Sequence, residues 1–528
     1  MNINPIYSNI NDISIESYLS YYGVENPTEY MKGNSVEPNT HYDCIDAFCS
    51  VLHIWLKYNN KMYLLVDPDV DGYFSASMFY SYCKLINPDC NIIPIFHEGK
   101  GHGLSDDTTF RQAKLIDEGL LVILDAGSND KSYIKKLCIP CIIADHHDVE
   151  NQSDLILVNN QLSKNVVNKG LSGCGVTWKC LSRYDELYGY KYAKQFISYV
   201  MITLLSDSCP LNYNEQYTFI KWGKKQIHPF LQPFIDKLNN DETNKGYSFG
   251  LIPCINALNR LGIMEDKEEL FKALCGEIDA DNIIDKCISL HNKQSNEAKK
   301  IADNAEIITD KQIVLAKINE STTLTGLVAN KLMGKYAKPI ILVHNNEAND
   351  QFDGSVRSPI DLRETFNSTK LFMYASGHPC AFGVGYKKDN EQNIVDYLDN
   401  QIKLCEPCET VLIKLKVNSL TNKLFAFNES YKDYFGNNIP IPNIYIDKFK
   451  PDDIQDYGKV IRITKGDVRF VLFYPTNEQK EMLKKSNIYI DIIGEPCYNV
   501  FNGKKEKQII INKFEVNKNK KQTLEDIF

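Results

Sequence analysis

The sequence predicts an α/β protein in which a parallel-sheet domain is joined by a long helix to a second α/β domain and a C-terminal β-barrel. Three observations predict this class. Short apolar runs alternate with helical stretches in the first half, a charged helical segment follows, and short, regularly spaced strands fill the last part. A chain of 528 residues is too long for one ordinary core, so several domains are expected.

We divide the chain into five predicted segments according to these changes in pattern. They are an N-terminal helical segment (residues 1–60), a parallel-sheet domain (61–240), a helical connector (241–312), a second α/β domain (313–404) and a β-barrel (405–528). In the first segment, residues 47–57 carry apolar side chains at helical spacing and end in the turn Tyr58-Asn59-Asn60.

Three short apolar runs in the parallel-sheet domain each end at an aspartate. The runs are Met62–Val66, Leu120–Leu124 and residues 141–144. Continuous apolar runs of this length, separated by helical stretches, predict buried parallel strands. Ligands of such sheets bind outside the carboxyl ends of the strands. The residues expected at this binding edge are therefore Asp67, Asp125 and Asp145.

The second half of the chain changes its pattern twice. Residues 281–310 predict a long connecting helix, and strands at 313–316 and 339–343 with a helix between them predict the second α/β domain. Short strands then follow at residues 411–417, 460–463, 468–474, 488–493 and 508–511. Their spacing predicts a small β-barrel, of which an OB-like fold is the best match.

The composition excludes some classes of function. Hydrophobic residues make up 43% and charged residues 24%, as in soluble globular proteins, and no apolar run is long enough to span a bilayer. The N-terminus lacks a secretion signal, so we expect a cytoplasmic protein with no membrane partner and reduced cysteines. A net charge of −9 argues against a wholly basic surface but allows a local basic groove beside an acidic site.

The segment Asp67-Pro68-Asp69-Val70-Asp71-Gly72 places three carboxylates at alternate positions. In a strand they would share one face, with a helix opening near Ser75-Ala76, and their mutual repulsion would require a cation. An EF-hand loop does not fit, because no helix precedes the segment and no Glu stands at loop position twelve. A polar turn after a strand is the remaining alternative.

Further carboxylates and two histidines accompany this segment. Asp145-His146-His147-Asp148 ends the third strand, and Asp207 lies in the segment Leu204-Leu205-Ser206-Asp207-Ser208. Carboxylates with imidazole suit Mn²⁺ or a similar divalent ion. Two such ions can clamp the attacking and leaving oxygens of a phosphoryl displacement. The sequence therefore predicts a metal centre that hydrolyses a phosphate ester, with Mg²⁺ as a second candidate ion.

The motifs Asp69-x-Asp71, Asp125, Asp145-His146-His147 and Asp207 resemble the four ordered motifs of the DHH phosphoesterase superfamily. The resemblance implies that Asp67, Asp69 and Asp71 bind the first metal, with the division between Asp67 and Asp69 left open. It implies that Asp125 bridges the metals and that His146 and Asp207 hold the second. His147 would face the substrate phosphate, which makes Asp125, Asp145 and His147 the predicted catalytic residues.

Other segments resemble the RecJ branch of that superfamily. Residues 171–176 are similar to its LSGxGV segment, 252–260 to PxINAxGR, 354–358 to GSxRS and 377–383 to the GGHxxAxG signature of the DHH-associated domain. The substrate-binding residues that this resemblance implies are Lys100, Arg260, Ser355, Arg357, Gly377 and His378. The chain departs from the pattern at Ser376, at His97 and in Lys100-Gly101-His102-Gly103-Leu104, where EGYGL is usual.

The resemblance implies a metal-dependent exonuclease that degrades single-stranded DNA from the 5′ end in DNA repair, recombination or replication. A single-strand-binding protein or a helicase would be a protein partner. The candidates for binding the strand on the barrel are Phe470, Phe473, Tyr474, Lys504, Lys505 and Lys507. The barrel core is the alternative place for the three aromatic residues, and it is the favoured one for Phe470. The alternatives are a DHH-type phosphodiesterase for short oligonucleotides or cyclic dinucleotides, and a catalytically inactive RecJ-like replication scaffold.

Overall fold

The computed structural model of the chain describes residues 1–99, 101–150, 154–238, 243–319, 324–404, 408–484, 488–501 and 504–518. At residues 378, 501, 517 and 518 it describes only the backbone. The strands form three sheets, of five, six and eight strands. Within these ranges every helix is too short or too polar to cross a membrane, and every cysteine is a free thiol.

The first sheet is fully parallel and confirms the predicted parallel-sheet domain. Its strands, in spatial order, are Ile92–Phe96, Met62–Val66, Leu120–Leu124, Cys141–Asp145 and Ile156–Asn159. Because side chains alternate along a strand, Leu64 and Leu65 enter separate cores on opposite faces of the sheet. The helices of this region are Val70–Ile86, Asp107–Lys114, Lys131–Ile134, Gly173–Tyr188, Ile197–Ser206 and Asn214–Lys225.

The N-terminal segment is helical only after its first strand. Ile3–Tyr7 forms a strand that pairs in parallel with Glu409–Lys416, and the prediction of a mostly helical segment did not include this strand. Local pattern could not reveal this strand, because its partner lies far along the chain. The helices that follow are Ile15–Tyr21, Pro27–Lys32 and Ile45–Tyr58.

The connector contains the predicted long helix, but that helix is shorter than expected. Asp281–Asp303 is helical, and Glu306–Thr309 is a strand that pairs with Val314–Ile318. The prediction of a helix to residue 310 is therefore wrong, because the β-branched residues after Asn304 pair with the second sheet. The remaining helices of the connector are Asn244–Gly246, Ile252–Leu261 and Met264–Leu274, with a π-helical turn at Tyr247–Leu251, and the helix Gln232–Leu238 precedes the connector.

The second sheet has six strands and only one parallel pair, Val314–Ile318 with Ile340–Asn346. Its spatial order is Tyr374–His378, Ala381–Lys387, Gln351–Arg357, Ile340–Asn346, Val314–Ile318 and Glu306–Thr309. The helices of this region are Thr325–Tyr336, Arg363–Thr369 and Glu391–Asp396, and the last continues into a π-helical turn at Tyr397–Gln401. Ala298 and Ala302 of the long connecting helix pack into the core on one face of this sheet.

The third sheet collects the C-terminal strands and the N-terminal one. The spatial order of its strands is Ile3–Tyr7, Glu409–Lys416, Ile444–Phe449, Ile488–Phe501, Lys504–Lys518, Val468–Phe473, Val460–Lys465 and Asp453–Asp456. The helices of this region are Asn422–Tyr431 and Asn477–Leu483. This strand-rich sheet is compatible with the predicted OB-like domain. However, Ile446 and Phe470 belong to the same hydrophobic core as Leu64 of the first sheet. The predicted boundary at residue 405 therefore does not separate two cores.

Candidate metal centre

The first acidic motif lies at the carboxyl end of the strand Met62–Val66, as predicted, but not on a strand. The helix Val70–Ile86 begins inside the motif, because Asp69 accepts a hydrogen bond from the Gly72 backbone N–H at 3.0 Å and caps the helix. The expectation that the three carboxylates share a strand face and that the helix opens near Ser75 is therefore wrong. Asp71 instead lies in the first turn of that helix.

Asp71 is held by the start of another helix. Its carboxylate accepts hydrogen bonds from the backbone N–H groups of Gly173 at 2.7 Å and Cys174 at 2.8 Å. Asp125 lies beside the same turn with a positive φ of 63°, which is strained for a residue other than glycine. A Cβ atom at Gly173 would lie 2.2 Å from Asp125 Oδ1. Glycine at position 173 therefore makes room for Asp125 while it fixes Asp71.

Four predicted metal ligands converge at this edge of the sheet. His146 Nε2 lies 3.3 Å from Asp125 Oδ1, 3.4 Å from Asp207 Oδ2 and 3.9 Å from Asp71 Oδ2. One ligand atom from each of these residues lies within 4.8 Å of the others. Asp125 Oδ1 and His146 Nε2 are buried without a hydrogen-bond partner among the described residues. Buried polar atoms are rarely left unsatisfied, so this donor set fits a divalent cation.

A second group of ligand atoms contains a residue that the sequence analysis did not predict as a ligand. Asp67, Asp69 and His102 place ligand atoms within 4.8 Å of one another. His102 Nδ1 lies 2.5 Å from Asp67 Oδ2, and the Gly103 N–H donates to Asp67 Oδ1 at 3.0 Å. His102 lies in the segment that departs from the family pattern, and this segment follows the edge strand Ile92–Phe96. Its position after that strand was the signal that could have identified it.

Asp145 orients the two adjacent histidines. Its carboxylate accepts hydrogen bonds from the backbone N–H groups of Ser128 at 2.9 Å and His146 at 2.7 Å. His147 Nδ1 lies 2.8 Å from Asp145 Oδ1, and the His147 side chain is 55% exposed. One carboxylate therefore holds both the backbone and the ring of His147, and about half of the His147 side chain stays accessible to solvent.

Burial and like charge perturb the acidic residues. Burial raises the pKa of Asp67 to about 6 against the opposing effect of His102, and burial also raises the pKa values of Asp71, Asp125 and Asp207. Neighbouring carboxylates add to these increases, since like charges disfavour ionisation. A cation would remove this cost, so the cluster is electrostatically suited to bind one.

The histidines respond differently to their surroundings. The hydrogen bond to Asp145 raises the pKa of His147 to about 9, so this ring is a cation at neutral pH. Burial lowers the pKa of His146, which keeps Nε2 available as a ligand. Burial alone would raise the pKa of Asp145. The hydrogen bond from His147 and the charge of that ring outweigh burial and hold the pKa of Asp145 well below its usual range.

The predicted substrate-binding residues lie mainly on the second sheet. Ser355 Oγ lies 2.8 Å from Thr325 Oγ1. Arg357 packs over Gly326 so closely that a Cβ atom added to Gly326 would lie 2.3 Å from Arg357 Nη2. Burial lowers the pKa of Arg357, and the charge of Arg260 lowers it further. The structure therefore brings Arg357 and Arg260 together, and no described carboxylate forms an ion pair with either.

The remaining predicted substrate-binding residues are only partly described. Gly377 has a φ of 130°, and its carbonyl accepts a hydrogen bond from Arg363 Nη1 at 2.6 Å. Lys100 and the side chain of His378 lie outside the described residues. Arg260 also lines a cavity of about 180 Å³ in the connector.

Known proteins are similar to this chain in sequence. Residues 61–205 match the DHH family, N-terminal domain. YorK of Bacillus subtilis (strain 168), which carries the provisional name of an SPbeta prophage-derived single-strand DNA-specific exonuclease, is 28% identical over 577 aligned positions. That alignment covers 99% of this chain and 98% of YorK. The single-stranded-DNA-specific exonuclease RecJ of the same organism is 24% identical over 498 positions, covering 86% of this chain and 61% of RecJ.

A solved structure shares the fold. The crystal structure of RecJ from Thermus thermophilus in complex with Mn²⁺ matches with a TM-score of 0.75 at 15% identity, covering 99% of this chain and 79% of that RecJ. The resemblance predicted from the motifs is thereby confirmed: residues 61–205 match the DHH family, N-terminal domain, and the chain is similar to RecJ proteins in sequence and in fold.

Proposed function

We propose that this chain is a metal-dependent exonuclease that hydrolyses phosphodiester bonds of single-stranded DNA. The observation that carries the proposal is the convergence of Asp71, Asp125, His146 and Asp207, with ligand atoms within 4.8 Å of one another. The orphaned buried atoms Asp125 Oδ1 and His146 Nε2 support a cation at this point. The names of YorK and the Bacillus subtilis RecJ support single-stranded DNA as the substrate.

The residues suit a centre of two Mn²⁺ ions, with Mg²⁺ as the alternative. Asp71, Asp125, His146 and Asp207 would hold one ion, and Asp67, Asp69 and His102 the other. Divalent ions held in this way would supply an activated water and would offset the charge of the phosphodiester. Asp125 would be a ligand of the first of these ions.

The chain's own residues would position the strand and stabilise the developing charge. His147, held as a cation by Asp145, would donate a hydrogen bond to a phosphate oxygen. Asp145 would therefore act through His147. Arg357 and Arg260 would bind a terminal phosphate, because two neighbouring guanidinium groups without a described carboxylate partner favour an anion between them.

The alternatives lack a comparable observation in their favour. An inactive scaffold would not need the orphaned ligand atoms of Asp125 and His146. A phosphodiesterase for dinucleotides would not need the third sheet, which offers a further groove for a longer strand. We define the C-terminal groove as a cavity of about 510 Å³ lined by Asn422, Asp467, Arg469, Tyr498, Lys505, Glu506 and Lys507. Within it, Lys507 pairs with Asp467 and Arg469 with Glu506.

The aromatic residues predicted for this surface divide into two kinds. Phe470 is fully buried and stacks on Phe449, with ring centroids 4.8 Å apart, so it belongs to the core. Phe473 and Tyr474 are exposed and remain candidates for stacking on bases. A pathway in DNA repair, recombination or replication, and a helicase or single-strand-binding partner, remain part of this proposal.

Replacement of Asp125 by Ala should abolish Mn²⁺-dependent release of mononucleotides from a labelled single strand. The variant loses the ligand that lies closest to His146 Nε2, while the fold retains its cores. Activity is measured with end-labelled strands, and folding by circular dichroism. Asp117→Asn, which changes an exposed acid outside the centre, serves as the control. Retention of more than a few per cent of wild-type activity by Asp125→Ala would contradict the assignment.

Mn²⁺ should stabilise the protein more at pH 7.5 than at pH 5.0. Asp67 has a pKa of about 6, so its carboxyl group is largely protonated at pH 5.0 and must release the proton to bind a cation, and the raised pKa values of Asp125 and Asp207 act in the same direction. At saturating Mn²⁺ we expect the melting temperature to rise by about 2–5 °C at pH 7.5. Differential scanning calorimetry measures the shift. An equal shift at both pH values, or an equal shift in Asp125→Asn, would refute this prediction.

Degradation should begin at the 5′ end and depend on Arg357. A 5′ phosphate is a dianion, which a guanidinium group binds through charge-assisted hydrogen bonds. Strands labelled at one end and blocked at the other report the polarity, and Arg357→Ala should lose the preference for a 5′ phosphate about tenfold or more. Arg462→Ala is the control, since Arg462 lies over the Tyr457 ring in the third sheet. If the wild type degrades a 5′-blocked strand from its 3′ end at full rate, the polarity is wrong.

Substitution in the C-terminal groove should weaken binding of long strands without altering hydrolysis of short ones. Truncation after Leu404 would expose the shared core, so a point variant is the better test. Lys505, whose Nζ lies 4.1 Å from the Tyr498 ring centroid, is changed to Ala. The slope of the logarithm of the binding constant against the logarithm of the salt concentration should become less steep by about one unit for each phosphate contact that is lost.

Lys414→Ala is the matched control for Lys505→Ala. Lys414 Nζ lies 5.2 Å from the Tyr445 ring centroid in the same sheet but does not line the C-terminal groove. Fluorescence anisotropy with strands of increasing length measures the affinity. Unchanged affinity and salt dependence in Lys505→Ala would exclude the groove as a binding surface.

A further inference from the structure

A cleft of about 520 Å³ adjoins the proposed metal centre. Ser206 and Ser208, the chain neighbours of Asp207, both line it, and the Ser206 hydroxyl donates to Asp207 Oδ1 at 3.4 Å. Its other walls come from the helix Ile197–Ser206 and the segment after it, from the connector and from the loop that follows Asn422–Tyr431, and they are largely apolar. Among the residues that form them are Leu205, Leu211, Ile252, Phe435 and Ile441. The cleft is therefore an apolar space continuous with a metal-ligand segment.

Phe249 lines this cleft and is 75% exposed. A single exposed apolar residue is ordinary by itself. Phe249, however, lies on the π-helical turn Tyr247–Leu251, and such turns are rare and occur frequently at functional sites. This turn leads directly into the helix Ile252–Leu261, which carries Arg260. The aromatic ring thus lies on a segment that connects the cleft with a candidate phosphate-binding residue.

Asn244 provides a second, independent observation. Its side chain is buried and lines the cleft, and its Nδ2 group donates to the carbonyl of Phe435 at 3.0 Å and that of Asp433 at 3.3 Å. Its Oδ1 atom is buried and has no hydrogen-bond partner among the described residues. A buried acceptor without a partner is costly, so a ligand that fills the cleft should bring an N–H donor.

We propose that the cleft binds the base of one of the nucleotides that flank the scissile bond. Phe249 stacks on the base, and Asn244 Oδ1 accepts a hydrogen bond from its edge. All four natural bases carry an N–H group on the Watson–Crick edge, so a single acceptor does not select one base. Stacking is equally tolerant, because every base has a π-face. The exposed Lys245 at the rim offers a cation to a neighbouring phosphate.

This inference rests on the proposed function, since it assigns a base to the strand that the metal centre would cleave. It explains how the enzyme could hold a strand of any sequence in register with the metals. Phosphate contacts alone allow the strand to slide, whereas a base inserted in a cleft fixes one nucleotide at a set distance from Asp207. Phe249 and Asn244 are therefore positioning residues, distinct from the residues that bind metal.

An abasic scan combined with Phe249 variants tests the proposal. Short 5′-phosphorylated strands carry one abasic nucleotide at each successive position from the 5′ end. In the wild type, one abasic position next to the scissile bond should lower kcat/KM about tenfold, or about 1.4 kcal/mol. In Phe249→Ala the intact strand should lose the same factor, and the abasic nucleotide should have no further effect. Phe249→Trp should retain the wild-type pattern.

Two further arms sharpen the result. At the sensitive position, 3-methylthymine, which lacks the N–H group of thymine, should bind more weakly than thymine if Asn244 Oδ1 accepts from that group. Tyr58→Ala, which removes an exposed aromatic residue that does not line the cleft, should behave as the wild type. Strand affinity is also measured by fluorescence anisotropy in EDTA, so that binding is observed without hydrolysis.

The outcomes separate this inference from the proposed function. If strands are cleaved but no abasic position matters, or Phe249→Ala keeps the wild-type sensitivity to it, the base cleft is wrong and the exonuclease assignment stands. If no strand is cleaved with Mn²⁺ or Mg²⁺, the proposed function fails. In that case the anisotropy measurements still decide whether Phe249 stacks on a base.

Discussion

Mutual repulsion among buried carboxylates is the constraint on which the rest of the site depends. Asp71, Asp125 and Asp207 meet beside His146 at the carboxyl edge of a parallel sheet, where burial and like charge disfavour ionisation of all three. The fold maintains this arrangement with fixed backbone donors, since Gly173 and Cys174 both donate to Asp71. A cation at the centre would offset the repulsion between the ionised carboxylates and so remove the energetic cost of holding them close together.

Several local features follow from this constraint. Gly173 has no side chain because Asp125 occupies the space that a Cβ atom would need, and Asp125 itself adopts a strained positive φ. Asp145 is not left to repel its neighbours, since backbone N–H groups and the charged His147 satisfy it. At this edge of the sheet, backbone N–H groups therefore hold the carboxylates of Asp71 and Asp145, and the charged ring of His147 is partly exposed to solvent.

The sequence predicted the parts of the site that depend on local pattern. Strand ends at Asp67, Asp125 and Asp145 follow from short apolar runs, and the parallel sheet brings them to one edge. His102 was not predicted as a ligand, because its approach to Asp67 depends on the path of the chain after the edge strand Ile92–Phe96. The first strand, Ile3–Tyr7, was missed for a similar reason, since its partner is close in space but distant in sequence.

The predicted separation into domains failed where cores merge. A change of pattern near residue 405 is visible in the sequence, but nothing local indicates that Phe470 packs into the same core as the first sheet. Helix Asp281–Asp303 was predicted too long, because charged helical periodicity continues toward a strand whose pairing is non-local. Elements whose ends are set by their own residues were predictable, whereas elements set by distant partners were not.

The most direct test of the account is to locate manganese by anomalous scattering in crystals grown with Mn²⁺. The account predicts one ion bonded to Asp71, Asp125, His146 and Asp207, and a second bonded to Asp67, Asp69 and His102. Absence of an anomalous peak within bonding distance of Asp125 and His146 at saturating Mn²⁺ would contradict it.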